Sequence, residues 1–400
     1  MRIFSDIKIR NAIIIGVLCS VSYLAVYFVR SVLSAVAPQM IEQGVFTTEY
    51  IGFASSLFFA FYAVGQLING MIGEKVKACY MVGLGLVFAG ICQLCFKTMV
   101  GFPNVACITY GMTGFFLSMI YPPISRLIAE NAEPLYAVRC SFAYTFASFL
   151  GAPLVGLVAI IITWKSLFTA SSVAVIAIGG GSFLFLTFLE QKGIIKYNQS
   201  QNKLEKTVRF NVLIKHNFIK YILVSVFTGV IRTSVLFWLP TYVSQYLDFS
   251  ADQSAAIFSV ASFMISISVF LVAFFYERLH RNMDLTLLVF FFISAIAFIE
   301  VYIIKQAVLN IILLVVALVF SNCASNVIWC IYCPSLRDTG MVSFATGFLD
   351  SMSYISAAVS NNIFGNAVAS IGWNNLILVW FFLMIAGVFL IFPYDKLKHN

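Results

Sequence analysis

Twelve apolar stretches, each long enough to cross a lipid bilayer, leave this chain very few folds. They fall at roughly 11–37, 48–73, 77–97, 102–127, 136–162, 166–189, 217–246, 253–276, 284–303, 307–331, 341–366 and 372–394. At 1.5 Å per helical residue, about 20 residues cover a hydrocarbon core of about 30 Å. Inside lipid only helices and closed barrels satisfy every backbone polar group, and runs of this length fit helices. Hydrophobic residues fill 61% of the 400 positions and charged residues only 10%, against about 25% charged in a soluble domain. The expected fold is an all-α, multi-pass membrane protein with twelve transmembrane helices, and the lipid bilayer is its first partner.

The charges then set an orientation. Of the 24 basic residues, 19 fall in segments that share a side with the N-terminus, while Lys97, Lys165 and Lys305 fall on the other. The remaining two, Arg30 and Arg232, lie inside apolar runs. Basic loops stay in the cytoplasm, so both termini are expected there. The net charge of +8 is therefore topology. It does not signal nucleic-acid binding, because no aromatic residues interleave with the basic ones as a binding groove requires. The basic first ten residues resemble the start of a signal peptide, but the apolar run behind them is too long and lacks a small-residue cleavage site, so a retained first helix is expected. Nine cysteines lie in or beside the spans, two pairs of them (Cys92/Cys95 and Cys330/Cys333) with CxxC spacing. In this context they read as small packing residues, not as a metal or redox centre. No metal and no cofactor is expected.

The two buried arginines are the strongest functional signal. A guanidinium keeps its proton, so at membrane depth it costs roughly 2.5–3.5 kcal/mol on insertion scales. Arg232 follows Arg30 by 202 residues, and each precedes a proline, Pro38 and Pro240, by the same spacing. Glu49 precedes Glu74 by 25 residues, as Asp252 precedes Glu277. These matches make spans 7 and 8 copies of spans 1 and 2. The expected organisation is an N-terminal six-helix half (1–189), a polar cytoplasmic linker (190–216) and a C-terminal six-helix half (217–400), related by a parallel pseudo-two-fold repeat. Six plus six in parallel resembles the major facilitator superfamily, in which substrate binds between the halves near the midplane. Gly73-Glu74-Lys75-Val76-Lys77 is similar to that superfamily's loop between spans 2 and 3, with Glu277-Arg278 as its partner. These charges read either as latch contacts between helix ends or as topology signals alone.

Helical spacing groups the candidate site residues. Tyr23, Tyr27 and Arg30 share one face of span 1, and Tyr62, Gln66 and Asn69 share one face of span 2. Span 4 adds Tyr121 and, a turn later, Arg126. Asn322 and Asn326 share a face of span 10, to hold the polar part of a ligand or to join helices. Asp350 is the deep acid of span 11 and reads as a coupling group or as a structural partner. One carboxylate cannot neutralise two distant arginines, so an anion is the expected ligand. Paired guanidinium donors suit phosphate or carboxylate oxygens.

Tyr23 through Arg30, with Pro38 and Glu42-Gln43-Gly44, resembles the first helix of the organophosphate:phosphate antiporters, which include bacterial glycerol-phosphate and hexose-phosphate transporters. Ile231-Arg232 through Phe237-Trp238-Leu239-Pro240-Thr241-Tyr242 is similar to that family's seventh helix, with a weaker echo at Thr346-Gly347-Phe348 and Tyr354. The resemblance implies that Arg30 and Arg232 clamp a phosphoryl group, with Tyr23, Tyr27, Tyr62 and Tyr121 lining the cavity. It also implies exchange of an organic phosphate for inorganic phosphate by alternating access, in the cell (inner) membrane. Ser31 and Gln66 stand where the family, or its glycerol-phosphate member, carries lysine, and 140–151 of span 5 holds no histidine. Two other readings remain open: a proton-coupled symporter of a carboxylate anion, and a sugar-phosphate sensor of the same fold. No paired carboxylates, histidine cluster or Ser/His set points to an enzyme. A small anionic substrate and a monomer are expected.

Overall fold

The computed structural model describes residues 7–72, 76–196, 216–336 and 342–392. Among them, eleven helical segments are long and apolar enough to cross a membrane. The last, Ala345–Ile391, joins two spans through Gly372, whose φ of 75° breaks the helix. A β-carbon disfavours that left-handed backbone, so glycine makes the turn between spans 11 and 12. The expected twelve spans are therefore present. Span 1 is one helix, Ile7–Glu42, which continues past Pro38. Span 4 is divided into Pro103–Leu117 and Tyr121–Asn131, and each piece opens with proline in its first turn, where the missing N–H is not needed. Most of the linker (197–215) lies outside the described residues, as do Glu74 and Lys75 of the loop motif.

The repeat is visible in spans 2 and 8. Their helices, Thr48–Ile72 and Ala251–Arg278, carry Glu49 and Asp252 in their first turns. A carboxylate there is stabilised by the positive end of the helix dipole. At the start of span 3, Lys77 pairs with Glu190 at the end of span 6. The hydrogen bond to Glu190 raises the Lys77 pKa above its ordinary value. Arg278 lies over the Phe274 ring, 5.5 Å from its centroid.

The chain divides into two compact units. The first takes in 1–45, 57–205 and 251–259; the second takes in 46–56, 206–250 and 260–400. Lipid offers no hydrophobic drive between helices, so close packing of small residues and interhelical hydrogen bonds must hold them. In the first unit, a β-carbon on Gly90 of span 3 would lie 2.6 Å from Ile176 and 2.9 Å from the Ser172 carbonyl of span 6. One on Gly151 of span 5 would lie 2.6 Å from Cβ of Tyr27 and 2.7 Å from the Phe28 amide of span 1. Spans 1 and 6 are also joined by the Ser22 and Ser182 hydroxyls at 3.1 Å.

Serines dominate the second unit. In span 7, Ser225 donates to the Leu349 carbonyl at 2.7 Å, and Ser234 meets Ser360 of span 11. Asn310 at the start of span 10 donates to the carbonyls of Val301 and Ile304, at 2.8 and 2.9 Å, and so closes the end of span 9. It accepts from the Tyr242 hydroxyl at 2.6 Å. All nine cysteines are free, and no metal-binding cluster occurs among the described residues.

Candidate functional site

In the first unit, Arg30 lies in a regular helix with its guanidinium carbon 5.3 Å from the Tyr27 ring, 4.9 Å from Phe59 and 5.9 Å from Tyr62. Each desolvated ring contact contributes up to about 2 kcal/mol, so three are of the same order as the insertion cost of the charge. The rings thus help keep a cation at this depth. Tyr62 and Phe59 are almost fully buried, which fixes their faces toward span 1. Beside the arginine, Tyr23 meets Tyr27 at 5.2 Å, Tyr121 at 5.6 Å and Tyr144 at 5.5 Å between ring centroids. Spans 1, 4 and 5 therefore bring four phenols together. Gly151 makes this approach feasible by letting span 5 touch the backbone behind Tyr27.

Gln66 follows Tyr62 on span 2 and is half-buried. Asn69, expected on the same face, is engaged elsewhere: its amide donates to the Ser118 hydroxyl at 2.8 Å. Ser118 lies at the break in span 4, so Asn69 braces that break. Arg126 is paired with Glu130 one turn on, at 2.9 Å.

In the second unit, the helix of span 7 widens into a π-helical turn, Val230–Val235, that carries Arg232. Such turns often mark functional sites because they re-aim one side chain. Gly229 lies just before the turn, and a β-carbon there would lie 2.6 Å from the Ser353 hydroxyl and 2.7 Å from that of Ser356. Span 7 can thus press against span 11. Arg232 Nη2 donates to Ser353 Oγ at 3.2 Å, and the guanidinium lies 6.0 Å from the Tyr354 ring. Its Nε is buried and has no hydrogen-bond partner among the described residues. No carboxylate among those residues pairs with it. An unsatisfied buried donor costs about 1–3 kcal/mol, more when charged. Arg232 is therefore the less satisfied of the two arginines.

The remaining candidates separate. Asn322 donates to Ser268 Oγ at 2.6 Å and to the Ile265 carbonyl at 3.3 Å, and Asn326 donates to the same hydroxyl at 3.0 Å. Both amides thus tie span 10 to span 8, the helix-joining one of the two readings. Asp350 is half-buried on span 11, one turn before Ser353 and Tyr354. Phe59, Tyr144 and Ser353 were not expected. Phe59 shares a helical face with Tyr62 and Gln66, but nothing marks it among 41 phenylalanines. Tyr144 and Ser353 follow no spacing that points to them.

The helical architecture is matched by comparison with known proteins. The sequence pattern of the Major Facilitator Superfamily covers residues 19–361. The chain belongs to that superfamily. The glycerol-3-phosphate transporter of Bacillus subtilis (strain 168) is 25% identical over 273 residues, 62% of this chain and 60% of that protein. The membrane sensor protein UhpC of Salmonella typhimurium is 27% identical over 106 residues, 26% of this chain and 24% of the sensor. The chain thus matches less than two thirds of either relative's length. A bacterial homologue of the human lysosomal transporter Spinster, solved in an inward-facing and occupied conformation, shares the fold with a TM-score of 0.74. It is 12% identical, with 96% of each chain covered. The superfamily placement agrees with an all-helical, multi-pass membrane protein.

Proposed function

We propose that this chain is a membrane carrier that exchanges an organic phosphate, of the sugar-phosphate or glycerol-phosphate class, for inorganic phosphate. The observation that carries the reading is Arg232, a charged side chain at membrane depth whose polar contact is the neutral Ser353 and whose buried Nε is left over. An anion bound along the Nε–Nη edge would satisfy it with two parallel charge-assisted hydrogen bonds. Arg30, its counterpart in the repeat, holds its charge among three rings in the first unit. The tyrosines around Tyr23 offer hydroxyl donors and ring faces to the organic part. The naming of the Bacillus relative for glycerol-3-phosphate supports the same class.

Exchange follows from charge. A membrane-depth guanidinium such as Arg232, with no carboxylate among the described residues, grows more costly without an anion as water leaves its surroundings. The empty carrier would then cross the closed state poorly, while the loaded one crosses readily. Counterflow in proteoliposomes tests this. Labelled internal phosphate should leave when external phosphate or a phosphate ester is supplied, and this flux should fall at least about tenfold in Arg232→Lys, the equivalent of one charged hydrogen bond. Equal efflux into anion-free buffer overturns exchange.

A second reading, a sensor that binds sugar phosphate without moving it, is favoured by the similarity to the Salmonella sensor. The same assay separates the two, because a sensor binds the ester but gives no counterflow.

A further inference from the structure

Lys97, at the last turn of span 3, and Lys165, in the first turn of span 6, lie at the end of the spans where the charge count leaves only three lysines. In the first unit these two line one open cavity of about 450 Å³, together with Ser166, Thr169, Ala170 and Val173. Lys97 Nζ donates to Thr169 Oγ1 at 2.7 Å, and that hydroxyl donates to the Lys165 carbonyl at 2.8 Å. Neither ammonium is paired with a carboxylate among the described residues.

Two ammoniums around one cavity repel unless an anion joins them. The helix of span 6 begins here, capped by the Thr163 hydroxyl, which accepts from the Ser166 amide, so the positive end of its dipole adds to the field. Trp164 lies beside the cavity, its indole nitrogen donating to Gln43 at 2.8 Å, with the Lys165 ammonium 5.5 Å from its ring. Below the lysines, the wall is apolar and outward-facing, with Val173 57% exposed. Cationic rim, hydroxyls and apolar lower wall match the three parts of one ligand: a phosphodiester, its glycerol oxygens and an acyl chain.

We propose that this cavity binds the headgroup of an anionic phospholipid, with the phosphate between Lys97 and Lys165 and an acyl chain along Ala170 and Val173. The site is separate from the arginines and does not depend on the transport reading. The full chain, purified in detergent with excess inorganic phosphate in every sample, is titrated with phosphatidylglycerol or phosphatidylcholine while its thermal midpoint is followed. Phosphatidylglycerol should raise the midpoint by about 2 °C or more over phosphatidylcholine, and Lys97→Gln/Lys165→Gln should abolish the difference. Should the double variant fold poorly, Lys165→Gln alone, at an exposed position, should reduce the difference by about half. A lipid preference that survives in the double variant, or that is undiminished in Lys165→Gln, overturns the proposal. So does the absence of any preference, because a pocket for free phosphate would then be filled already.

Discussion

Arg30 stacks its guanidinium among Tyr27, Phe59 and Tyr62, whereas Arg232 leans on one hydroxyl and leaves a buried N–H unused. The two positions are equivalent in sequence, but the difference in surroundings predicts different failures. Arg232→Lys removes the Nε–Nη edge and, on the proposed function, should cost at least about tenfold in affinity for a phosphate ester. The thermal midpoint of the empty protein should hold or rise, because an unsatisfied buried donor disappears. Arg30→Lys should lower both affinity and midpoint, since an ammonium on a flexible stem cannot stack as the planar group does. Calorimetric binding and thermal unfolding of both variants check the contrast. Asn322 is expected to behave differently again: Asn322→Ala should cost about 1–3 kcal/mol of stability by leaving the Ile265 carbonyl without this donor and Ser268 with the Asn326 amide alone, with ester affinity unchanged. A loss of affinity in that variant would return Asn322 to the binding site.

At the scale of elements, glycine positions decide how closely helices approach. Gly151 brings span 5 against the backbone of Tyr27, three residues before Arg30, while Gly90 joins spans 3 and 6. Gly151→Ala should therefore push the Tyr27 turn aside and weaken ester binding several-fold without removing any polar group. Gly90→Ala should lower stability by about 1–3 kcal/mol, as overpacking does, and leave binding of the folded fraction intact. Comparing binding constants with thermal midpoints for the two variants tests this division. The same elements show what a sequence can and cannot reveal. Spacing alone grouped Tyr23, Tyr27 and Arg30, because a helix of known pitch puts them on one face. It did not reveal which neighbour Asn322, Asn326 and Asn69 would meet, since helix rotation depends on packing against Ser268 and Ser118. Nor did it reveal the π-helical turn at Arg232. Val230–Val235 carries no proline or glycine to mark it. Phe59 and Tyr144 were hidden by abundance, one aromatic among many.

For the whole molecule, twelve spans and a repeated Arg–Pro spacing were legible because lipid imposes length and composition on every crossing. Membership of the Major Facilitator Superfamily agrees with the twelve spans. What the molecule recognises rests on the claim that its two membrane-buried arginines serve phosphate in particular, and not anions in general. The most direct measurement is thermal stabilisation of the purified chain by a matched panel of glycerol phosphate, hexose phosphates, inorganic phosphate and sugar carboxylates, run beside Arg30→Lys and Arg232→Lys. The account predicts stabilisation by the phosphate-bearing ligands, little or none by the carboxylates, and loss of the effect in both variants. Equal stabilisation by carboxylates, or full stabilisation by phosphate in either lysine variant, would contradict it.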